Sequence, residues 1–211
     1  MLKALLLGAA IAIAPSLGQA AVVTFDFEGT GTASGLASLS QSAGGLTATF
    51  TRPGSTFEIV DLSGGGGPAS FGSRSLSPFA NSTSNTSFLL NFSELIASVS
   101  FQAGDFNADA DTYSVQAYAG ANGTGALVGT ASGSRTGDAT LPSAVDMLSV
   151  TGSAGIGSLV FIGGSPTFPN SLYFDNFAVT YTPTAVPEPA SMALLGVGLF
   201  GLGMVRRRRK S

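Results

Sequence analysis

Short stretches of alternating apolar and polar residues, separated by clusters of Gly, Ser, Asn and Pro, run through the middle of the chain. In 97–103, for example, Val99 and Phe101 alternate with polar neighbours. Successive side chains of a strand point to opposite faces, so this pattern predicts strands with one face in a core and one in solvent. Ten strands are predicted in this way, at residues 22–27, 46–51, 56–62, 87–92, 97–103, 112–119, 127–131, 146–150, 157–162 and 172–181.

The number and spacing of these strands indicate the fold class. No long amphipathic helix interrupts them, and the connections are rich in turn residues. We therefore predict an all-β domain at 21–183, an antiparallel two-sheet β-sandwich, with a closed barrel as the alternative. About 160 residues are enough for one hydrophobic core.

The first twenty residues differ from the rest of the chain. They begin with Lys3, continue through an apolar run at 4–14 and Pro15, and end in the small residues Gly18 and Ala20. This order is typical of a secretory signal peptide, and the apolar run is about half of the ~20 residues that span a bilayer. We predict export, with cleavage after Ala20 by signal peptidase. A lasting N-terminal anchor is the alternative.

The C-terminal segment, 184–211, has three parts. Pro187, Glu188 and Pro189 come first, and 190–205 follows without a charge. The last part is a basic cluster made of Arg206, Arg207, Arg208, Arg209 and Lys210. A helix of this length extends about 24 Å, slightly less than the hydrocarbon core, and flanking arginines can thin the bilayer locally. We predict a transmembrane helix at 190–205 in the inner membrane, with the basic cluster cytoplasmic and the body outside. A lipid- or nucleic-acid-binding patch is the alternative for the cluster.

This order of tripeptide, apolar helix and arginine cluster resembles the PEP-CTERM sorting signal of Gram-negative bacteria. The similarity covers about the last twenty-six residues, beginning at Val186. It implies recognition by a membrane-embedded exosortase, processing near Pro187-Glu188-Pro189, and release or attachment at the cell surface. Such proteins often occur in exopolysaccharide-producing bacteria.

The body between the end segments is strongly acidic. It contains three arginines against eleven acidic residues, a net charge near −8, whereas the whole chain carries −3. Such a surface repels nucleic acid, so we exclude DNA and RNA as main partners.

The sequence lacks the residues that several kinds of site require. It has no His and no Cys, and its lysines are Lys3 and Lys210 in the end segments. Zinc sites and the Ser-His-Asp, Cys-His and Ser-Lys catalytic arrangements cannot be assembled. A pair of carboxylates could still cleave a glycan, but we predict that the protein is not an enzyme.

Three short motifs in the body resemble jelly-roll carbohydrate-binding modules. In those modules an acid on the first strand and an acid on the last strand share a structural calcium. The resemblance therefore implies a Ca²⁺ site at Glu28 and Asp175, with Asp26 as a further ligand. Carboxylates meeting there without a cation would repel each other; solvated acids at the rim are the alternative. The motifs are Phe25-Asp26-Phe27-Glu28-Gly29, Gly72-Ser73-Arg74-Ser75-Leu76 and Tyr173-Phe174-Asp175-Asn176-Phe177.

A second acidic group offers oxygen atoms at every other residue: Asp105, Asn107, Asp109 and Asp111. Ca²⁺ takes six to eight oxygen ligands, of which such a loop can supply several. The group is not an EF-hand, because Ala110 and Gln116 stand where that loop needs Gly and Glu. Two interpretations of this group are therefore retained, a calcium-binding loop and an ordinary polar loop.

Together these observations favour a non-enzymatic, exported protein with a structural or adhesive role at the cell surface or in the extracellular matrix. A carbohydrate-binding module for exopolysaccharide is the second hypothesis. The absence of Trp removes the commonest sugar platform from that hypothesis. A carboxylate-based glycan-cleaving enzyme is the third.

Overall fold

The structure, a computed structural model, describes residues 18–63, 69–78, 87–104, 110–135, 145–169 and 171–184, together with Gly196 and Gly198. The chain divides into two units, Ala20–Pro183 and the two ends Met1–Gln19 with Thr184–Ser211. Most of the second unit lies outside the described residues, so the signal peptide at 1–20 and the transmembrane helix at 190–205 stay predictions. Within the described ranges, no helix is long and apolar enough to cross a membrane.

The body consists of antiparallel strands and one 3-10 turn at Ala69–Phe71. Burial alternates along most strands, as in β4, because every second side chain points into the core. The strands are β1 (Ala21–Phe25), β2 (Ala33–Leu36), β3 (Ser38–Ala43), β4 (Leu46–Thr51), β5 (Phe57–Asp61), β6 (Arg74–Ser77), β7 (Phe88–Gly104), β8 (Asp111–Tyr118), β9 (Leu127–Arg135), β10 (Val145–Gly164) and β11 (Tyr173–Tyr181).

Two long strands, β7 and β10, each belong to both layers of the body. In sheet 1, β11 lies between β1 and the C-terminal half of β7, which pairs with the N-terminal half of β10; β6, β5 and β2 extend this sheet. In sheet 2, the order is β3, β4, the N-terminal half of β7, the C-terminal half of β10, β8 and β9. One continuous hydrogen-bonded sheet is thus folded over itself.

Phenylalanine side chains fill the space between the two sheets. Phe177 of sheet 1 packs on Phe50 of sheet 2 with ring centroids 5.3 Å apart. Phe161 of sheet 2 lies 5.0 Å from Phe174 and 5.3 Å from Phe101 of sheet 1. All five are at most 3% exposed, so the contact between the layers is the hydrophobic core.

The sides of the sandwich are closed by close contacts between the layers. On one side, the Tyr181 hydroxyl donates to the carbonyl of Gly44, which joins β11 to the turn after β3. On the other, β9 lies so close to β10 that a Cβ on Gly129 would stand 3.1 Å from the Thr151 carbonyl oxygen. Glycine at 129 is therefore needed for this closure.

The prediction of an all-β antiparallel sandwich is confirmed, and the differences lie in the strand boundaries. The segments predicted at 87–92 and 97–103 are one strand, β7, and those at 146–150 and 157–162 are one strand, β10. The predicted strands leave residues 151–156 as a connection between them. In the structure they form an irregularity, with a register shift between Thr151 and Ile156 and Gly155 at φ 84°, where β10 bends from one sheet into the other.

Three strands are missing from the ten that the alternating pattern predicts. β2 and β3 are rich in Ser, Gly and Ala, and β6 holds buried serines where a core strand usually has apolar residues. These segments are stabilised by pairing with neighbouring strands, since they have few large apolar side chains of their own. Ser40 and Ser42 of β3 make hydroxyl contacts with Thr49 and Thr47 of β4, at 2.9 and 2.8 Å.

Candidate functional site

Two segments that are distant in sequence meet where β1 ends. β1 pairs with β11 in a register that places Phe25 opposite Phe177. The chain continues from β1 through Asp26 and Glu28, and Asp175 lies two residues before Phe177. The three acidic residues are therefore brought close together, and the negative charges of Asp26 and Glu28 both act on Asp175.

A β-bulge holds Asp175 in place. The register of β11 against β7 shifts between Asp175 and Ala178, and Asn176 adopts a left-handed φ of 53°. Asn tolerates this conformation better than most residues other than Gly. Its side-chain nitrogen donates to the Ser70 carbonyl at 2.9 Å and to Gln102 Oε1 at 2.8 Å. The bulge is thus fixed from both sides of the strand.

The Asp175 carboxylate is almost completely buried, with 1% of the residue exposed. One oxygen, Oδ1, accepts a hydrogen bond from the backbone N–H of Asn176 at 2.7 Å, and the backbone N–H of Phe27 also donates to the carboxylate. The other oxygen, Oδ2, is buried and accepts no hydrogen bond. Burial, and then the charges of Asp26 and Glu28, raise the pKa of Asp175 to about 7, although the two backbone donors oppose this shift.

Asp26, Glu28 and Asp175 together form what we call the acidic corner. Within it, Glu28 makes the connection to the segment that precedes β6. Its Oε1 accepts hydrogen bonds from the backbone N–H groups of Ser73, at 2.7 Å, and Arg74, at 3.0 Å. The neighbouring Gly72 has a φ of 65°, and a Cβ at this position would lie 2.1 Å from the same oxygen. Glycine is required here both for the backbone conformation and for the approach of the carboxylate.

Asp26 is exposed, as Glu28 is, and its atoms make contacts that hold the loop after β1. Its Oδ1 accepts a hydrogen bond from the backbone N–H of Glu28 at 3.2 Å. Its carbonyl oxygen accepts one from Gln41 Nε2 of β3 at 2.6 Å, and the same nitrogen lies 3.3 Å from Thr30 Oγ1. The loop after β1 is therefore attached to β3 as well as to β11.

The residues of this acidic corner match several needs of a hard cation. Asp175 supplies a buried oxygen without a hydrogen bond, and Asp26 and Glu28 add negative charge beside it. No group of three or more His, Cys, Asp or Glu in the described ranges is arranged to hold a metal ion by itself. A bound Ca²⁺ would therefore take part of its oxygen shell from backbone carbonyls, amides or water.

The second acidic group is described only at its end. Asp105, Asn107 and Asp109 lie outside the described residues, so a calcium-binding loop there stays a prediction. Asp111, the first residue of β8, is fully buried, and its Oδ1 accepts a hydrogen bond from Ser171 Oγ at 3.2 Å. This contact joins β8 to the segment that leads into β11.

Sequence reasoning did not predict a groove on the outer face of sheet 2. The groove has a volume of about 490 Å³, and hydroxyl side chains from neighbouring strands, Ser114 of β8 and Ser132 of β9, line it beside Ile162 of β10. Pro166 and Pro169, in the loop after β10, form a wall. Ile162 is 45% exposed. In the sequence, the lining residues on the strands are the outward-facing members of the alternating pattern. The sequence does not show that they become neighbours, because this depends on how the strands pair.

A hairpin loop folds over the same face farther along the strands. Ser158 of β10 should face solvent by alternation, but it is 0% exposed. Its hydroxyl donates to the Gly120 carbonyl at 2.6 Å and accepts from the Gly123 N–H at 2.9 Å. The N–H of Asn122 donates to Asn91 Oδ1 of β7 at 2.7 Å. The loop 119–126 therefore covers one end of the sheet 2 face, and the groove occupies the other.

The described fold and the sequence of the tail define an exported β-sandwich protein. A family model described as the PEP-CTERM protein-sorting motif matches residues 185–209. The match includes Pro187, Glu188, Pro189 and the four arginines, and it confirms the resemblance of the tail to this signal. The motif marks the chain for sorting by an exosortase to the cell surface or extracellular space.

This chain is similar to a solved structure of a carbohydrate-binding module. It is the family 11 carbohydrate-binding module from Clostridium thermocellum in complex with a β-1,3-1,4-mixed-linked tetrasaccharide. It is 13% identical, with a TM-score of 0.32 over 79% of this chain and 98% of that chain. No curated protein sequence matches the chain.

Proposed function

We propose that the processed protein is a non-enzymatic structural or adhesive component of the cell surface or extracellular matrix, and that the sheet 2 groove is its contact with exopolysaccharide. The observation that carries the proposal is the chemistry of the groove. Ser and Thr hydroxyls can exchange hydrogen bonds with sugar hydroxyls, and Ile162 and the prolines can cover the apolar C–H faces of sugar rings.

The same site argues against catalysis as the function. Among the described residues that line the groove there is no carboxylate. Asp175 has a pKa near 7, which suits a general acid, but with 1% exposure it has no access to a glycan. A cation-binding role suits this buried group better than a role in cleaving glycosidic bonds.

A glycan-retention experiment tests the proposal. The processed protein, recovered from cells that export it, is passed through gels containing exopolysaccharide from the same cells. Retardation is expected for the natural sequence, and a loss of about tenfold in affinity for Ile162→Glu, because a carboxylate would desolvate poorly against sugar C–H groups. Met147→Glu is the matched control, since Met147 lies on the same strand but in sheet 1. If the natural protein and Ile162→Glu migrate equally in every exopolysaccharide gel, the groove is not a glycan-binding site.

Calcium at the acidic corner is part of the proposal as a structural ion. Asp175, Glu28 and Asp26 are the side chains that would hold it. A cation there would compensate the charge that the fold concentrates at this corner and would fix the junction of the first and last strands. Its removal is expected to lower stability without changing the fold.

Processing at both ends also belongs to the proposal. Signal peptidase would remove 1–20, and an exosortase would cut near Pro187 after the segment 190–205 has held the chain in the inner membrane. At the chain's average of about 100 Da per residue, each event removes about 2 to 2.5 kDa from 21.0 kDa. The intact mass of the protein from its own cells tests both events separately, and retention of the arginine cluster would show a lasting membrane attachment.

A further inference from the structure

The first strand of the body begins at the same end of the sandwich where the last strand finishes. β1 starts at Ala21, which pairs with Tyr181, the final residue of β11. Tyr181 also pairs with Ile96 in the middle of β7, and its hydroxyl donates to the carbonyl of Gly44 in the turn after β3. We call this the terminal end, because the chain enters and leaves the body here.

The terminal end also includes the bend of β10 and the hairpin loop of sheet 2. Ile156 of β10 pairs with Ile96, so the irregularity at 152–155 lies at this end. A Cβ on Gly157 would lie 2.6 Å from a carbonyl oxygen of the loop 119–126, which places that loop beside the irregularity. Both segments consist of Gly, Ala, Ser, Thr and Asn, and neither contains a charged residue.

Three large apolar side chains are exposed at the terminal end. Leu95 is 55% exposed and lies beside the irregularity of β10, since a Cβ on Gly155 would stand 3.0 Å from the Leu95 Cβ. Leu127, 53% exposed, begins β9 directly after the hairpin loop, and Val22, 68% exposed, is the second residue of β1. These three residues come from strands that do not pair with one another, so what they share is their position at this end.

The charge of the body is concentrated away from the terminal end. The described segments that form this end contain one charged residue, Glu94. In the acidic corner, Asp175 precedes Tyr181 by six residues of β11, or about 20 Å. Asp146 lies level with this corner on β10, and Asp111 begins β8 at the far end from the hairpin loop. The terminal end is therefore apolar and nearly neutral, although the whole body carries a net charge near −8.

We propose that the terminal end contacts the surface of a lipid bilayer as long as the tail is attached. The proposal rests on the membrane segment at 190–205, which eight residues separate from β11, a span of at most about 30 Å. The bilayer is thus within reach of the end at which the chain leaves the body. Leu95, Leu127 and Val22 enter the interface between headgroups and acyl chains, and the acidic end points away from anionic lipids.

The contact is weak by itself and depends on the membrane segment. Three separate side chains bury little apolar surface, and the net negative charge of the body opposes binding to anionic lipids. The membrane segment compensates, because it holds the body at a high effective concentration beside the bilayer. Cleavage near Pro187 therefore releases the body from the lipid surface.

Fluorescence quenching in vesicles tests the contact. The natural chain has no Cys, so Leu95→Cys in the exported chain with its tail, residues 21–211, gives a single site for an environment-sensitive dye. The vesicles contain phosphatidylethanolamine, phosphatidylglycerol and a lipid with a quencher at its headgroup. Quenching of about twofold or more is expected for dyes at Leu95→Cys and at Leu127→Cys. Phe168→Cys is the matched control, because Phe168 is 42% exposed in the loop after β10, toward the opposite end.

Flotation of the same vesicles measures the insertion of 190–205 separately. Protein that does not float would refute the membrane segment and the contact with it. Protein that floats without quenching at Leu95→Cys, or with equal quenching at Phe168→Cys, would overturn the contact alone. Quenching that requires added membranes from the protein's own cells would assign the surface to a protein partner instead of lipid.

A charge substitution at the terminal end gives a second test. Leu127→Glu should reduce the quenching of the Leu95→Cys dye about twofold, because a carboxylate avoids the lipid interface. Ile162→Glu, in the groove of sheet 2, should leave it unchanged. Raising the salt concentration should increase the quenching by screening the repulsion between the body and anionic lipids. Equal effects of the two substitutions would contradict the contact.

Discussion

Glu28 Oε1 accepts a hydrogen bond from the backbone N–H of Ser73 at 2.7 Å, although 45 residues separate the two. This bond joins the loop after β1 to the segment before β6, and both lie beside Asp175 of the last strand. The acidic corner is therefore part of the framework of the fold as well as a candidate ion site.

Substitution of Gly72 by Ala tests how closely the Glu28 carboxylate approaches this backbone. The new Cβ would lie 2.1 Å from Oε1 at a φ of 65°. We expect Gly72→Ala to lower the free energy of unfolding by about 1–3 kcal/mol in denaturant titrations. Gly29→Ala is the control, because nothing lies within 4 Å of its Cβ position. Equal effects of the two substitutions would disprove the close approach.

The pH dependence of stability without calcium follows from Asp175. The pKa of its carboxyl group is 3.8 for an ordinary Asp, as in the unfolded chain, and about 7 in the fold. The folded protein therefore binds this proton more tightly than the unfolded chain does. This contribution to stability is fully present below about pH 4 and is lost as the pH rises to about 7. Thermal melts in chelator should show the decline. Asp175→Asn, which keeps a neutral side chain at all pH values, should reduce the slope in this range; an unchanged slope would exclude Asp175 as its source.

Calcium should reverse the loss of stability near neutral pH. An ion that binds the folded state alone at a hundredfold excess over its Kd stabilises by about 2.7 kcal/mol, a shift of several degrees in Tm. Asp175→Asn should abolish the shift. Asp61→Asn should retain it, because the Asp61 carboxylate is held by Ser63 and Arg74 and has its pKa lowered to about 2. An unchanged Tm of the natural protein on adding calcium would rule out the structural ion.

Ser158→Ala tests the attachment of the hairpin loop to sheet 2. The substitution removes the acceptor for Gly123 N–H and the donor to the Gly120 carbonyl. We expect a loss of about 1–2 kcal/mol in stability and faster amide hydrogen exchange in 119–126. Ser149→Ala, an exposed serine on the same strand, should change neither quantity. Slow exchange in the Ser158→Ala loop would show that the loop is held by other contacts.

The fold class could be predicted from the sequence because its period-two pattern is strong in the core strands. In β7 and β8, Phe, Tyr and Val residues alternate with Ser, Thr and Gln. The apolar set is buried, and the polar set is partly or fully exposed. The serine-rich strand β3 could not be recognised, because it is stabilised by pairing with β4 and its own apolar residues are few. The continuity of β10 was missed since a bulge uses the same small residues as a turn.

The acidic corner was inferred by resemblance, and the pairing of β1 with β11 brings its members together. Burial could not be read from the sequence, which gives no sign that Asp175 is 1% exposed whereas Asp26 is open to solvent. That difference depends on the bulge at Asn176 and on the segments that cover it. The groove on sheet 2 was missed for a related reason, because its lining residues come from three strands.

The two long strands have a mechanical consequence. A pull on the chain beyond Thr184 loads β11 along its axis, and its hydrogen bonds to β1 and β7 then resist together in shear. β7 continues into sheet 2 without a break and is paired there with β10, the strand that carries Ile162 in the groove. A polymer bound at the groove, as proposed, would therefore transmit force to Thr184 through the pairing of β10 with β7 and of β7 with β11.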